Sequence, residues 1–158
     1  MADLGGLPGP DDIIGRIEGK THIQPVRVYY EETDLSGIVY HANFVRFIER
    51  GRSNYLRLLG VNHGDLLALE EPLAFTVTRL EMDYLMPAKL DDTLEIHSRY
   101  TRMTGARLHG LQIVKRDGVD LVQARIQAAC INLEGKPRRF PKAVREALLT
   151  SVCDEDPA

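Results

Sequence analysis

The sequence predicts an α+β domain, a five-stranded, mostly antiparallel sheet wrapped around one long central helix. Three observations carry this expectation. Phe44, Phe47, Ile48, Tyr55, Leu58 and Leu59 recur at helical spacings and form one continuous apolar stripe. From residue 73 onward the apolar period drops to two, in four stretches separated by turn residues. One more strand-like stretch precedes the helix. A helix of about 17 residues is roughly 25 Å long, enough to span a five-stranded sheet, and its stripe has only that sheet to pack on.

The elements follow in order. Residues 1–22 are rich in Gly, Pro and Asp and are expected to be mobile, with one short helical turn available to Ile13, Ile14 and Ile17. Residues 24–30, QPVRVYY, read as the first strand, with Val26 and Val28 on one face and Arg27 and Tyr29 on the other. Residues 31–42 are a loop that turns at Ser36-Gly37. The helix spans 42–59. Gly51 falls on its stripe; a glycine there costs about 1 kcal/mol against alanine, so a close approach to another backbone is the expected reason. Gly60 reads as the cap that ends the helix. A second, short helix is expected over 62–70, stopped by Pro72. The strand over 73–84 slips phase near residues 78–80, the mark of a bulge. Pro87 breaks it. The strand over 90–103 aligns Leu94, Ile96, Ser98 and Tyr100 on one face, and Thr104-Gly105 turns the chain into a strand over 106–116. Asp117-Gly118 is a favoured two-residue hairpin turn. The last strand, 119–133, places Val122, Ala124, Ile126, Ala128 and Cys130 on one side. Pro141 opens a C-terminal helix, KAVREALL, and 151–158 form an acidic tail. With no repeat and no linker, residues 23–150 are expected to form one domain. Sheet edges and polar face residues are left for self-association to cover.

Bulk properties exclude several function classes. The net charge of −3 gives no global basic field for nucleic acid. Cys130 and Cys153 are isolated thiols, which suits a reducing compartment. The N-terminal stretch lacks the basic start and apolar run of a secretory signal, and no apolar run reaches the roughly 18–20 residues of a membrane-spanning helix. A cytoplasmic location is the expectation. His22, His63, His97 and His109 have no metal-ligand spacing, and no phosphate-binding glycine motif is present, so neither metal nor cofactor is expected. The basic run Lys136, Arg138, Arg139 and Lys142 is either a solvated face or a patch for phosphates, with Arg138 the preferred phosphate ligand.

The chemistry concentrates in residues 30–50, YEETDLSGIVYHANFVRFIER. Asp34 precedes a tight turn, then His41, then the helix. A carboxylate just ahead of a helix N-terminus offers a base or nucleophile together with unpaired backbone N–H groups that stabilise an oxyanion. Acyl transfer uses both. Read singly, Asp34 is a turn or capping residue, His41 a cap or packed histidine, and Tyr30 plain core.

Tyr30, Asp34, Gly37-Ile38-Val39-Tyr40-His41, Phe47 and Glu49-Arg50, in this spacing, resemble the hotdog-fold acyl-CoA thioesterases. The nearest resemblance is to the 4-hydroxybenzoyl-CoA thioesterase-like group, and within it to the Tol-Pal-associated cytoplasmic branch. It covers about residues 24–141, including Lys136-Pro137-Arg138. The resemblance implies hydrolysis of an acyl-CoA, short-chain or aromatic, with acyl carrier protein as a second candidate carrier, in a homodimer or homotetramer. It implies a catalytic carboxylate at Asp34, assistance from Tyr30 and His41, and an oxyanion donor at the His41 backbone N–H. Asp34 then either attacks the carbonyl or activates water, and the His41 imidazole orients Asp34, orients water or caps the helix. Two departures stand out. Glu32 is a second carboxylate close in sequence, a solvated charge or a group that raises the Asp34 pKa. Gly51 stands where the family has alanine. Phe44, Phe47, Phe75 and Tyr55 are candidates to shape an acyl pocket, and Glu49 is a surface charge or lies near the dimer-related site. Two rival readings share the scaffold: an acyl-thioester or acyl-carrier-protein binding module with weak hydrolysis, and a hydratase or dehydratase, whose His and Asp patterns are absent here.

Overall fold

The computed structural model describes residues 13–153. Six strands form one antiparallel sheet: β1 (Arg16–Glu18), β2 (Thr21–Arg27), β3 (Leu73–Tyr84), β4 (Thr93–Met103), β5 (Arg107–Arg116) and β6 (Val119–Asn132), in the order β1-β2-β4-β5-β6-β3. Three helices that lie wholly within the described residues accompany it: α1 (Asn43–Leu58), α2 (His63–Leu67) and α3 (Lys142–Leu149). The long helix α1 lies against the inner face of the sheet, as expected.

One strand more than expected is present. Ile13 and Ile14 are helical, but Ile17 sits in β1, which folds back on β2 through Glu18↔Thr21. The first strand also starts earlier and ends earlier than its apolar pattern suggests. His22 and Gln24 are buried polar residues, which blurred the alternation. The strand stops at Arg27 because the Glu32 carboxylate accepts the Tyr29 N–H at 2.7 Å, turning the chain into a 3₁₀ turn at Tyr30–Glu32. Expectations for residues 1–12 and 154–158 lie outside the described residues.

Helix α1 buries Phe44, Phe47, Ile48, Gly51, Tyr55 and Leu56. Leu58, assigned to the stripe by spacing, is exposed, and Leu56 takes its place in a cluster with Val61 and Leu66. Gly60, at φ +81°, ends the helix: its N–H reaches Arg57 O and the Val61 N–H reaches back to Leu56 O at 2.9 Å. A Cβ on Gly51 would lie 3.0 Å from Ile96 Cγ2 and from Ser98 Oγ, and 3.2 Å from Gln112 Nε2. The glycine therefore seats the helix on β4 and β5, and what crowds it is side chains and not the backbone that its position suggested. Gln112 bolts that seat: its amide donates to Ile48 O at 2.8 Å and to Ser98 Oγ at 2.7 Å.

The bulge in β3 falls between Val77 and Arg79. The β5–β6 hairpin turns at Asp117-Gly118, both with positive φ, as a tight hairpin turn demands. The β1–β2 turn meets the segment after α3. Lys20 Nζ donates to Val152 O at 2.8 Å, and Val152 bridges Tyr100 of β4. Among the described residues the outer edge of β3 is unpaired.

Candidate active site

The loop ahead of α1 is a miniature hairpin. Thr33 pairs with Val39, and Ile38 with Lys89, which ties the loop to the segment after β3. The Gly37 N–H closes the turn on Asp34 O at 3.0 Å, and Gly37 has the φ of +79° that this turn requires. Asp34 is the turn residue that its spacing suggests. Its Oδ1 accepts the Ser36 N–H at 2.8 Å and the Ser36 hydroxyl. Its Oδ2 has no partner among the described residues, and the side chain is fully open to solvent. The Ser36 hydroxyl, the Ser36 N–H and then the nearby His41 hold the Asp34 carboxyl below its ordinary range.

Glu32 does not raise that pKa. Its carboxylate is buried, turned inward onto the Tyr29 N–H, with Arg50 at 4.0 Å. It is a structural strut and not a second acid in the site. Its carbonyl accepts the Tyr40 N–H and the Asn43 side-chain amide, each at 2.9 Å, so it also fixes the loop to the first residue of α1.

Helix α1 begins without a side-chain cap; Ala42 occupies the capping position in helical conformation. Neither Asp34 nor His41 caps it. Among the described residues no group accepts the His41 N–H, which leaves a free donor at the helix start. The His41 ring packs edge-on against Tyr40 (4.6 Å) and Tyr84 (6.1 Å), and the Tyr84 hydroxyl donates to His41 O at 3.0 Å. Tyr84 therefore belongs to the site. Nothing in the sequence pointed to it, because it comes from the end of β3, 43 residues away in the chain.

Asp34 and His41 are brought together. Tyr30 is 81% exposed, so it is not core, and its ring is not among those that pack on His41. Arg138 is bound by Glu71, with Nε to Oε1 at 2.7 Å, and its Nη1 donates to Pro137 O. Glu71 precedes the first residue of β3, while Tyr84 is its last, so Arg138 and Asp34 of one chain are separated by the length of β3, roughly 35 Å at the usual rise per residue.

A cavity of about 220 Å³ opens between α1, the start of β3 and the sheet floor. Phe75 lines it, with Leu56 and Val77. Phe44, Phe47 and Tyr55 do not; all three are core. Glu49 lies at this cavity, exposed, with the Ser53 hydroxyl donating to it at 2.5 Å. Asp34 of the same chain is not part of it. Among the described residues no cluster of side chains could hold a metal ion, and no helix is long and apolar enough to cross a membrane.

Comparison with known proteins bears on this arrangement. Residues 28–148 match the thioesterase-like superfamily. The chain is 44% identical over 124 residues to a Haemophilus influenzae protein named acyl-CoA thioesterase YbgC, covering 78% of this chain and 90% of that one. A crystal structure of a probable thioesterase from Bartonella henselae superposes with a TM-score of 0.74 at 42% identity, over 77% of this chain and 99% of the other. A 1,4-dihydroxy-2-naphthoyl-CoA thioesterase from Synechocystis, at 20% identity and TM-score 0.75, over 82% and 96% of the two chains, shares the fold. A sheet closed around a central helix, with a carboxylate loop leading into that helix, is thus the hotdog fold, and the chain belongs to the thioesterase-like superfamily.

Proposed function

We propose that this protein hydrolyses the thioester of a short-chain or aromatic acyl-CoA, with Asp34 as nucleophile or base and the start of α1 as the oxyanion site. The observation that carries the reading is the pairing of an ionised, half-free carboxylate with an unsatisfied N–H at a helix start. The names of the relatives support it. A thioester carbonyl oxygen accepting the His41 N–H would be polarised by the helix terminus. Asp34 Oδ2 then adds to the carbonyl carbon, the C–S bond breaks and CoA leaves as thiolate. Water hydrolyses the mixed anhydride and regenerates the carboxylate. In the alternative, Asp34 takes a proton from the attacking water. The Ser36 contacts that lower the Asp34 pKa keep the group ionised, which either role requires.

The cavity and Asp34 lie apart in one chain, and two copies supply what one lacks. A twofold pairing along the free edge of β3 sets the start of one strand beside the end of the other. Phe75 and Val77 at the start line the cavity; Tyr84 at the end touches His41. Each cavity then faces the Asp34 loop of the other copy, and a homodimer, alone or doubled to a tetramer, is the working unit. A role for Tyr30 requires its exposed ring to close over bound substrate. Arg138 acts on a CoA phosphate only by exchanging its Glu71 partner. The two free thiols fit a cytoplasmic setting.

The test is thiol release over a panel of acyl-CoAs and acyl carrier proteins. Turnover by the wild type, and loss of several orders of magnitude in kcat for Asp34→Asn with an unchanged Tm, is the expected result. Near wild-type turnover by Asp34→Asn would remove the carboxylate from the mechanism. No turnover on any thioester, with tight binding of acyl carrier protein, would replace the enzyme with a binding module.

A further inference from the structure

Arg52 lines the same cavity as Phe75 and Val77 and is half-buried there. A guanidinium has five N–H donors. The bond that Arg52 makes among the described residues runs from Nη1 to Gln112 Oε1, at 3.0 Å, and no carboxylate lies within 4.0 Å of it. The nearest acid along the helix is Glu49, which is exposed and bonded to Ser53; it favours the charged guanidinium from a distance without contacting it. Both amide hydrogens of Gln112 are already committed, to Ile48 O and Ser98 Oγ, so its Oε1 points in one fixed direction and holds the guanidinium in place. Beside Arg52 the Tyr100 hydroxyl is buried with no partner among the described residues. A half-buried cation with no carboxylate in contact is incompletely compensated, and a fixed planar fork matches a carboxylate.

The rest of the cavity is largely apolar, through Leu56, Phe75 and Val77. Its 220 Å³ is room for roughly seven waters at about 30 Å³ apiece, the scale of a short acyl chain. A largely apolar chamber with a pre-oriented guanidinium that no carboxylate contacts suits a short chain that ends in an anion. We infer that the preferred acyl group is an ω-carboxyacyl chain, with Arg52 as the residue that reads its terminal carboxylate. The inference rests on the thioesterase reading and names the substrate class of that site.

The experiment compares kcat/KM for glutaryl-CoA, pentanoyl-CoA and 5-hydroxypentanoyl-CoA, which share one chain length. The wild type is expected to favour glutaryl-CoA over pentanoyl-CoA at least tenfold. Arg52→Met should lower that ratio tenfold or more, and Arg52→Lys, with charge but no fork, should fall between. A wild-type ratio of one or less, a preference for the hydroxylated chain, or a ratio untouched in a folded Arg52 variant overturns the assignment while leaving hydrolysis intact. A second readout needs no turnover: free glutarate should raise the wild-type Tm more than pentanoate, and the gap should narrow in Arg52→Lys and close in Arg52→Met. If no thioester is cleaved, the hydrolase reading fails by itself, and the glutarate shift still decides what Arg52 binds.

Discussion

At the scale of the residue, the Asp34–Ser36 contact sets the protonation of the candidate nucleophile. Both Ser36 donors favour the carboxylate, so the Asp34 titration, followed by carboxyl NMR, should fall below the ordinary value near 3.8. Ser36→Ala removes the larger of the two contributions. The Asp34 pKa should move up towards that value, and the acid limb of kcat/KM should move up with it. An unchanged titration would show that the hydroxyl contact does not persist in solution. Asp34 was legible in the sequence because a turn, a carboxylate and a helix start are local features and leave a local signature. Glu32 was misjudged as a neighbour of Asp34 because adjacency in sequence says nothing about which way a side chain turns; here the two carboxylates diverge, one to water and one to a buried N–H. Tyr84 was not legible at all, since its contact with His41 is made by tertiary packing of β3 on the loop.

At the scale of the element, α1 was read well because its stripe has a strong period, and misread at its last turn. Spacing alone cannot decide between Leu56 and Leu58 where a second helix adds a second surface to pack on. Gly51 makes the seat of α1 testable. Alanine there gains helix propensity of about 1 kcal/mol, which offsets the crowding of a methyl at 3.0 Å. Gly51→Ala should therefore unfold in urea within about 1 kcal/mol of wild type, and Gly51→Leu should lose about 3 kcal/mol or more, because Ile96, Ser98 and Gln112 are all buried and tightly held. Tolerance of leucine would mean that α1 can ride away from the sheet. The β3 bulge was foreseen from the phase slip, whereas β1 was not, because three exposed residues beside glycines carry no alternation to detect.

At the scale of the whole molecule, shared sites and buried histidines make predictions that no single element does. If each cavity is served by the partner's Asp34, Asp34→Asn and a plugged cavity, Val77→Trp, should each be inactive and should complement when unfolded and refolded together. Random mixing of dimers should return about a quarter of wild-type activity. No recovery would place the whole site in one chain. Stability should also depend on pH above the carboxylate range. His22 is fully buried, stacked on Tyr55, with Nε2 bonded to Ile14 O at 2.8 Å. Burial lowers its pKa below 6.5, and burial with nearby Arg102 and Arg107 does the same at His109. The unfolded chain then binds more protons below that value. Stability is therefore full above pH 6.5 and is lost as the pH falls through it. The urea midpoint should drop as the pH falls below 6.5, and His22→Gln should flatten that drop. An equal drop in the variant would assign the effect elsewhere.

The contact between Lys20 and Val152 has a topological meaning. Lys20 lies beside Val152, so only a short gap separates the β1–β2 hairpin from the segment after α3. A short tether across the gap, with the chain opened at the solvent-facing Asp117-Gly118 turn, would keep every strand pairing described above except the continuity of one hairpin. The Asp34 loop and α1 would then sit in the interior of the rearranged sequence.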